Sequence, residues 1–356
     1  MTEKLPVTIV ATSSEQDLLN PQPGRRMDMP GFDEEFVDFP DYIVRITDRI
    51  WHQRQVGLCL DYYAPDCTIH TLAGDITGAQ TVVDNTHATL AAFPDRRLDP
   101  DNVIWSDEGG GSFYSSHLIT SPMTNEGDTE FGPATGRKVE VLTIADCLCR
   151  ENRIVEEWLV RDNGGLVLQL GFDLDEVAEQ QARELPSLLD WHKSAHGELL
   201  AKTIPEPDFP EVPERDPHEF AEAVFGGLWS KISLQLAANI YDFRAAGDFP
   251  GNRHLSRPGQ ITDFRGQIHA AIPDAQVQIE HVADIAYLGE ARDMAIRWSL
   301  AGTHKGDGIY GPASEAPVFI MGITHWRVIN GQIHREWTVW DDLAVRRQIA
   351  EYRLQT

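Results

Sequence analysis

Long apolar runs, cysteines and basic residues are all scarce in this sequence of 356 residues. No run approaches the roughly 18 consecutive apolar residues that a membrane-spanning helix needs. The first twenty residues also lack the basic-then-apolar pattern of a secretory signal. The four cysteines are Cys59, Cys67, Cys147 and Cys149, without the spacing of a small disulfide-rich domain. We therefore expect a cytoplasmic protein with free thiols.

The shortage of basic residues limits the partners that the chain can have. Lysine and arginine together number 30, against 56 aspartates and glutamates, which gives a formal net charge of −26. A surface this acidic repels phosphate backbones and anionic lipid headgroups. The sequence therefore argues against nucleic acid and membranes as partners, and leaves a small ligand open.

An internal repeat organises the chain, and its two copies are 179 residues apart, as from Asp162 to Asp341. The pairs that keep this offset include Pro94 with Pro273, Gly127 with Gly306, Gly132 with Gly311, Pro133 with Pro312, Ile154 with Ile333, Glu157 with Glu336, Trp158 with Trp337, and Gln169 with Gln348. A length of 356 residues suits two domains of about 150 each. The constant register therefore indicates a duplicated domain.

Prolines mark the boundary between the copies. Five of them between residues 204 and 217 exclude a helix or a central strand and predict a semi-rigid linker. The preceding stretch, from Asp173 to Leu200, carries a helical stripe that Pro186 divides. The expected organisation is an N-terminal arm at 1–36, a first domain at 37–172, a helix and Pro-rich linker at 173–217, and a second domain at 218–356.

Each copy has helical periodicity first and strand periodicity afterwards. Ile43, Ile46 and Ile50 follow a helical period, and shorter helices are expected at 79–93 and 259–272. Beyond Pro94 and Pro273 the apolar period is two, with turns expected at 151–152 and 330–331. Helices on one side of a curved antiparallel sheet form an α+β cone with a pocket inside. The predicted fold class is α+β, with two tandem cone-shaped α+β barrels.

Short motifs in both copies resemble a known family. The second copy has a strand ending in Gly-Thr-His-x-Gly (302–306), a Gly-Pro turn (311–312), and a final strand with Trp-x-x-x-Asp (337–341). The first copy has Phe-Gly-Pro-Ala-Thr-Gly-Arg (131–137) and ends in Gln-Leu-Gly (169–171). Over about 120 residues per copy, this pattern resembles the SnoaL-like domains of the nuclear transport factor 2-like, cystatin-like superfamily. The resemblance implies the cone fold.

The resemblance also implies candidate catalytic residues. SnoaL-like polyketide cyclases close rings by intramolecular aldol condensation, using an aspartate on the last strand as general base with a strand histidine beside it. These roles fall on Asp341 and His304 in the second copy, and on Asp162 in the first, where Asn125 stands in place of the histidine. The second copy therefore holds the better catalytic candidate. No cofactor or metal is implied.

Strand alternation gives each aspartate its neighbours. Trp158 shares a face with Asp162, and Trp337 shares a face with Asp341. A carboxylate beside an indole has its charged form disfavoured, which raises its pKa toward that of a useful base. The alternative is that each aspartate caps the following helix, and that His304 belongs to a hairpin turn. Glu157 and Glu336 lie on the opposite face and are expected to serve pairing between the sheets.

Other polar and aromatic residues are candidates for binding substrate. Arg297 offers two donors to a carboxylate or an enolate. The remaining candidates, each of which also fits a structural role, are Trp337, Tyr241, Trp158, Tyr63, His117 and Asn125. A Gly-x-Gly-x-x-Gly match at 306–311 precedes a proline and opens no helix, so it does not predict dinucleotide binding. His192 and His196 lack a third ligand, so zinc is not expected.

These observations support two function classes. The first is a cofactor-independent enzyme of the lyase or isomerase type, whose pocket aspartate acts as general base on a small or medium apolar carbonyl compound. Cyclisation, isomerisation and dehydration all fit this chemistry. The alternative is a non-catalytic tandem-domain protein that binds a metabolite or recruits a partner. In either case we expect the two copies to form an intramolecular pseudo-dimer through their sheets, with further homodimerisation left open.

Overall fold

The computed structural model describes residues 9–21, 26–203, 216–230, 234–289 and 291–356. The helices are Ile9–Thr12 (α1), Glu15–Leu19 (α2), Phe39–Thr47 (α3), Cys59–Tyr62 (α4), Ala79–Ala92 (α5), Asn163–Leu170 (α6), Leu174–Glu184 (α7), Leu188–Leu200 (α8), Pro217–Phe225 (α9), Leu234–Ile240 (α10), Arg257–Ala271 (α11) and Asp342–Gln355 (α12). Within these ranges, none of the helices combines the length and apolarity needed to span a bilayer. Most of the predicted Pro-rich linker (204–215) and parts of the N-terminal arm lie outside the described residues.

Twelve strands are described, six in each copy. They are Tyr63–His70 (β1), Ile76–Thr77 (β2), Asp99–Gly109 (β3), Ser112–Thr124 (β4), Lys138–Arg150 (β5), Arg153–Arg161 (β6), Tyr241–Phe249 (β7), Arg253–Ser256 (β8), Gln276–Ala286 (β9), Arg292–Thr303 (β10), Pro317–Ile329 (β11) and Gln332–Trp340 (β12). The strand orders β2-β1-β6-β5-β4-β3 and β8-β7-β12-β11-β10-β9 are the same in both copies. The predicted duplication of an α+β domain is confirmed.

The sheets are mixed, which corrects the expectation of purely antiparallel sheets. Strands β3 to β6 form an antiparallel meander, but β1 runs parallel to β6, and β7 runs parallel to β12. The first strand of each copy follows the helices directly and enters the sheet beside the last strand, so its direction is set by the crossover. The predicted turns at 151–152 and 330–331 are confirmed, and all four residues have positive φ, as in type I′ hairpins.

The helices form where the sequence supplies caps and apolar stripes. Asp38 caps α3 by accepting from the Asp41 backbone N–H at 2.9 Å. Ile43, Ile46 and Ile50 are buried along one side, and the helix continues as a π-helical turn over Asp48–His52. The predicted division near Pro186 is also confirmed, since α7 ends at Glu184 and α8 begins at Leu188.

The second face of each sheet lies against the other copy. The Asn102 amide donates to Asp293 Oδ2 at 2.7 Å, and Ser116 Oγ lies 2.7 Å from His325 Nε2. Each sheet therefore has two buried faces, one on its own helices and one on its partner sheet. Buried side chains therefore occur on both faces of a strand, and burial alone does not distinguish the inside of a cone from the contact between copies.

Candidate active site

The cone of the first copy encloses a cavity of about 70 Å³ between its helices and its sheet. Its walls include Ile43, Ile46, Thr47, Ile50, Trp51, Tyr63, Arg96, Leu98, His117, Ile119, Thr143, Ala145, Cys147, Ile154, Glu157, Leu159 and Arg161. Most of this lining is apolar, with a small set of polar groups among it, as in binding sites for small molecules.

Glu157, on β6, points into this cavity. Its side chain is buried with 5% of its surface exposed, and Oε2 has no hydrogen-bond partner. The Tyr63 hydroxyl bonds to the same carboxylate. Burial raises the pKa of Glu157 to about 7, because the charged form loses its hydration. A carboxyl that changes protonation near neutral pH is suited to general acid–base chemistry.

His117, on β4, faces the same cavity from two strands away. Only 3% of its surface is exposed, Nε2 has no partner, and burial lowers its pKa to about 3. The imidazole is therefore neutral at physiological pH. The Thr143 hydroxyl, which also lines the cavity, lacks a partner as well. Buried polar atoms are rarely left unbonded in proteins, so this set makes the cavity a candidate site for a polar ligand.

A larger chamber of about 530 Å³ adjoins the cavity. Arg96, Leu159 and Arg161 line both spaces. Asp341 of the second copy contributes to the chamber wall, so both copies build the chamber. A further pocket of about 300 Å³ shares Asp341 with the chamber and extends to the half-exposed Trp191 on α8.

The cone of the second copy is filled with tryptophan. Trp298, Trp326 and Trp340 stand 179 residues after Ile119, Cys147 and Arg161, and all three indoles are buried. Gly322 replaces Thr143 because a β-carbon there would lie 2.2 Å from the Trp298 ring. The strand registers confirm this correspondence, since Cys147 pairs with Glu157 just as Trp326 pairs with Glu336.

Glu336, the counterpart of Glu157, is fully paired inside the filled cone. Arg265 Nη2 donates to Glu336 Oε1 at 2.5 Å, and the Tyr241 hydroxyl donates to Oε2 at 2.5 Å. The Thr338 hydroxyl adds a third bond at 2.6 Å. The first copy has Thr86 at the position of Arg265, so Glu157 lacks the matching arginine. The predicted substrate-binding Tyr241 therefore belongs to a buried ion-pair network.

The orientation expected for the two glutamates is wrong. Glu157 and Glu336 point into the cones, whereas Trp158 and Trp337 on the alternate positions lie between the copies. The sequence correctly predicted that each tryptophan and the neighbouring glutamate lie on opposite faces of the strand. It assigned the face inside the cone to the tryptophans instead of the glutamates. Arg297 also lies between the copies, where its guanidinium is 3.5 Å from the centre of the Trp158 ring and 3.2 Å from Glu280.

Asp162 has three backbone donors around its carboxylate. Oδ1 accepts from Gly165 at 2.8 Å and from Gly251 at 2.7 Å, and Oδ2 accepts from Asn252 at 2.8 Å. The first bond caps α6, and the other two reach the turn between β7 and β8 of the second copy. These contacts fit the capping alternative and add a connection between the copies.

Replacing Asp162 by alanine is expected to lower the free energy of unfolding by roughly 2–3 kcal/mol, because a helix cap and two charge-assisted bonds are lost together. Urea denaturation measures this change. Asp173 provides the control, since it caps only α7 and its alanine variant should cost about 1 kcal/mol. Equal losses in the two variants would contradict a connection between the copies through Asp162.

Asp341 and His304 have separate partners. Asp341 caps α12 through the Ala344 N–H at 3.1 Å and accepts from the Asn163 amide at 2.6 Å, while burial raises its pKa to about 7. His304 Nδ1 lies 2.9 Å from Ser314 Oγ at the end of the β10–β11 hairpin, and burial lowers its pKa. The described lining of the first cavity and its chamber does not include His304.

Asn125 occupies the matching hairpin of the first copy. Its Oδ1 accepts from the Thr135 backbone at 2.7 Å, and its Nδ2 donates to the Gly127 carbonyl at 2.7 Å. Of the ten predicted site residues, the structure places Tyr63 and His117 in the cavity and Asp341 in the chamber. Sequence reasoning missed Glu157, Arg96, Arg161 and Thr143 as site residues. The three tryptophans at the repeat offset were the available signal, since they show which cone is filled.

A comparison with known protein families agrees with the duplication. The model of the family described as SnoaL-like polyketide cyclase matches residues 41–170 and 223–349, once in each copy. No curated protein matches the chain. Solved structures similar to it include a SnoaL-like polyketide cyclase from Agrobacterium tumefaciens, 19% identical, with a TM-score of 0.32, covering 37% of this chain and 96% of that one. Another is TsrD from Streptomyces laurentii, 18% identical, with a TM-score of 0.33, covering 39% and 98%. With two family matches that together span more than half of its length, the chain belongs to the SnoaL-like polyketide cyclase family.

Proposed function

We propose that the first domain is a cofactor-independent enzyme in which Glu157 removes a proton from the carbon beside a carbonyl group of the substrate. The observation that carries the proposal is the contrast between the two cones. The glutamate in the open cone has an unbonded oxygen, whereas its counterpart in the filled cone is paired with Arg265. Family membership supports carbonyl chemistry of this kind. The unbonded carboxylate oxygen in the open cone supports Glu157 as the base, in place of the expected last-strand aspartates.

The reaction begins when the Glu157 carboxylate accepts the α-proton and the C–H electron pair moves to the carbonyl oxygen. Neutral His117 and the Thr143 hydroxyl are the groups available to donate a hydrogen bond to that oxygen, which stabilises the enolate. In a cyclisation, the enolate carbon attacks a second carbonyl of the same molecule, and Glu157 returns the proton to the new alkoxide. In an isomerisation, the proton returns to a different carbon.

The size of the cavity limits the reacting part of the substrate. A cavity that holds one water needs roughly 10–15 Å³ by this measure, so about 70 Å³ accommodates a group of only a few heavy atoms. The chamber of about 530 Å³ provides space for the remainder. We therefore expect a substrate whose carbonyl end enters the cone while a larger part stays in the chamber.

Proton exchange tests the proposal without knowledge of the natural substrate. Simple ketones that exchange their α-protons slowly are incubated with the protein in D2O, and deuterium incorporation is followed by NMR. Polyketide-like, steroid-like and terpenoid ketones are screened in parallel by thermal stabilisation, with product analysis of each ligand found. Ketones that stabilise the protein but neither exchange nor react would instead favour the non-catalytic binder.

Filling the first cone should abolish ligand binding. Cys147→Trp copies Trp326 of the second copy and places an indole beside Glu157, within a cavity of about 70 Å³. We expect ligand-induced thermal stabilisation to disappear in this variant, while Cys147→Ala, which leaves the cavity open, retains it. Near-UV circular dichroism checks that both variants are folded. Retained binding in a folded Cys147→Trp protein would exclude this cavity as the site.

A further inference from the structure

Two arginines lie where the cavity and the chamber adjoin, a position that we call the neck. Arg96 follows α5, and Arg161 ends β6, and both side chains line both spaces. Arg161 is four residues beyond Glu157 on the same face of the strand, so their α-carbons are roughly 13 Å apart. Both side chains line the cavity, and a separation of this size leaves room for a group of a few atoms between them.

Neither guanidinium has a counter-ion in contact. Arg96 Nε donates to Ser121 Oγ at 3.1 Å, and Arg161 Nε is buried without any partner. Across the described parts of the chain, no carboxylate oxygen lies within the 4.0 Å ion-pair limit of either group. Guanidinium groups carry five N–H donors each, so most of the donors at the neck are available to a ligand.

The two arginines differ in their surroundings. Burial lowers the pKa of Arg161, and the carboxylates of Glu157, Glu130 and Asp341 act against that effect from longer range. Arg96 is 7% exposed, and burial together with the nearby cations Arg161 and Arg54 lowers its pKa to about 9. It therefore stays protonated at neutral pH in surroundings that disfavour its charge. Buried charges in proteins are normally paired. Arg96 has no such partner, and an anionic ligand would provide one.

The pair is absent from the filled cone. The residues at the same repeat positions in the second copy are Ala275 and Trp340. Among the residues that the structure describes, both arginines therefore occur together in the copy with the cavity and not at the equivalent positions of the tryptophan-packed copy.

We propose that Arg96 and Arg161 bind a small anionic group of the substrate, so that the first domain acts on a carbonyl compound that also carries an acid. The identification of the carbonyl end rests on the proposed function, whereas the anion subsite stands on the arginines themselves. A carboxylate matches the planar donor fork of arginine. The spacing from Glu157 favours an acid group separated from the carbonyl by a few carbons.

The test compares 4-oxopentanoate with its methyl ester, which keeps the ketone and removes the charge. Isothermal titration measures binding of each to wild type, Arg96→Met, Arg161→Met and the control Arg183→Met, a surface arginine on α7 that is half-exposed. We expect the acid to bind wild type and the control at least about tenfold more tightly than the ester. The ratio of acid affinity to ester affinity should fall to nearly one in Arg96→Met and Arg161→Met. Part of the difference should persist in Arg96→Lys and Arg161→Lys.

Equal binding of acid and ester by wild type would overturn the proposal, as would an unchanged preference in folded methionine variants. Inorganic phosphate serves as a competing anion, and displacement of the acid at lower concentrations than acetate would assign the subsite to a phosphate group. Glu157→Gln separates the two proposals. If it stops α-proton exchange but keeps the acid preference, both stand. If exchange continues while the preference persists, only the role of the base fails.

Discussion

Replacing Glu157 by glutamine is expected to slow α-proton exchange by a factor of about 10²–10⁴, the range that a positioned general base contributes. Glutamine keeps the shape of the side chain and its bond to Tyr63 but cannot accept the proton. Glu156→Gln is the matched control, because this residue is the previous one on the same strand and faces the opposite side. Exchange that survives in Glu157→Gln would exclude this residue as the base.

The same residue sets the expected pH dependence of the reaction. A base acts in its deprotonated form, and the pKa of Glu157 is raised to about 7. The value of kcat/KM should therefore rise with pH through the region around 7 and level off above it. In the Glu156→Gln control this rise should be unchanged. A rate that already levels off near pH 5 would contradict the assignment.

As pH rises, the free energy of unfolding should decrease while kcat/KM increases. Because burial raises the pKa of Glu157 above its unfolded value, the native state binds a proton more tightly, and stability decreases as pH rises from about 4.5 to about 7. Glu157→Gln removes this dependence. The variant should match wild type near pH 4 and exceed it by roughly 3 kcal/mol at pH 8, as measured by urea denaturation at both values.

Glu336→Gln, the equivalent change in the second copy, is expected to lower the free energy of unfolding by about 3–5 kcal/mol. The change leaves Arg265 as a buried charge without its partner, in a position where neither side chain is exposed. Urea denaturation at pH 7 measures the loss. The exchange rate per folded molecule should stay at the wild-type value, because the filled cone takes no part in the proposed reaction.

A double variant distinguishes the unpaired charge from other causes. Arg265→Met combined with Glu336→Gln removes both charges and should recover a large part of the lost stability, since replacing both members of a buried pair is far less costly than removing one. If the double variant is less stable than either single variant, the loss arises from packing rather than from the unpaired buried charge of Arg265. The different pairing of Glu157 and Glu336 would then not explain the stability loss.

The fold was largely predictable because matching residues recur at a constant offset along the sequence. The offset from Asp162 to Asp341 defined both copies, and the switch from helical to alternating periodicity located the strands. The parallel pairing of β1 with β6 was not predictable from periodicity. Side chains alternate in the same way in a strand whether its neighbour is parallel or antiparallel. Its place in the sheet depends on how the preceding helices cross.

The site was predicted less well because both faces of each sheet are buried. The sequence indicated that Trp158 and Asp162 share one face and that Glu157 lies on the other, but the direction of sheet curvature decides which face is inside. Pairing across the copies, such as Arg297 on Trp158, also makes a contact surface resemble a pocket wall. The comparison of residues at the repeat offset, such as Cys147 with Trp326, distinguishes the open cone from the cone that tryptophan fills.

The tryptophan-filled cone bears on how the chain tolerates change over evolutionary time. A cavity of about 70 Å³ costs roughly 2 kcal/mol by the cavity rule, and the unpaired Glu157 adds to that cost. In the described part of the second copy, Glu336 is paired and the core packs around Trp298 and Trp340. Since most substitutions destabilise and only those below a threshold are removed by selection, a surplus of stability in one copy widens the range of substitutions that the other can accept. The stability of the second copy thus lets the first copy accept more substitutions, including substitutions of the residues that line the open cone.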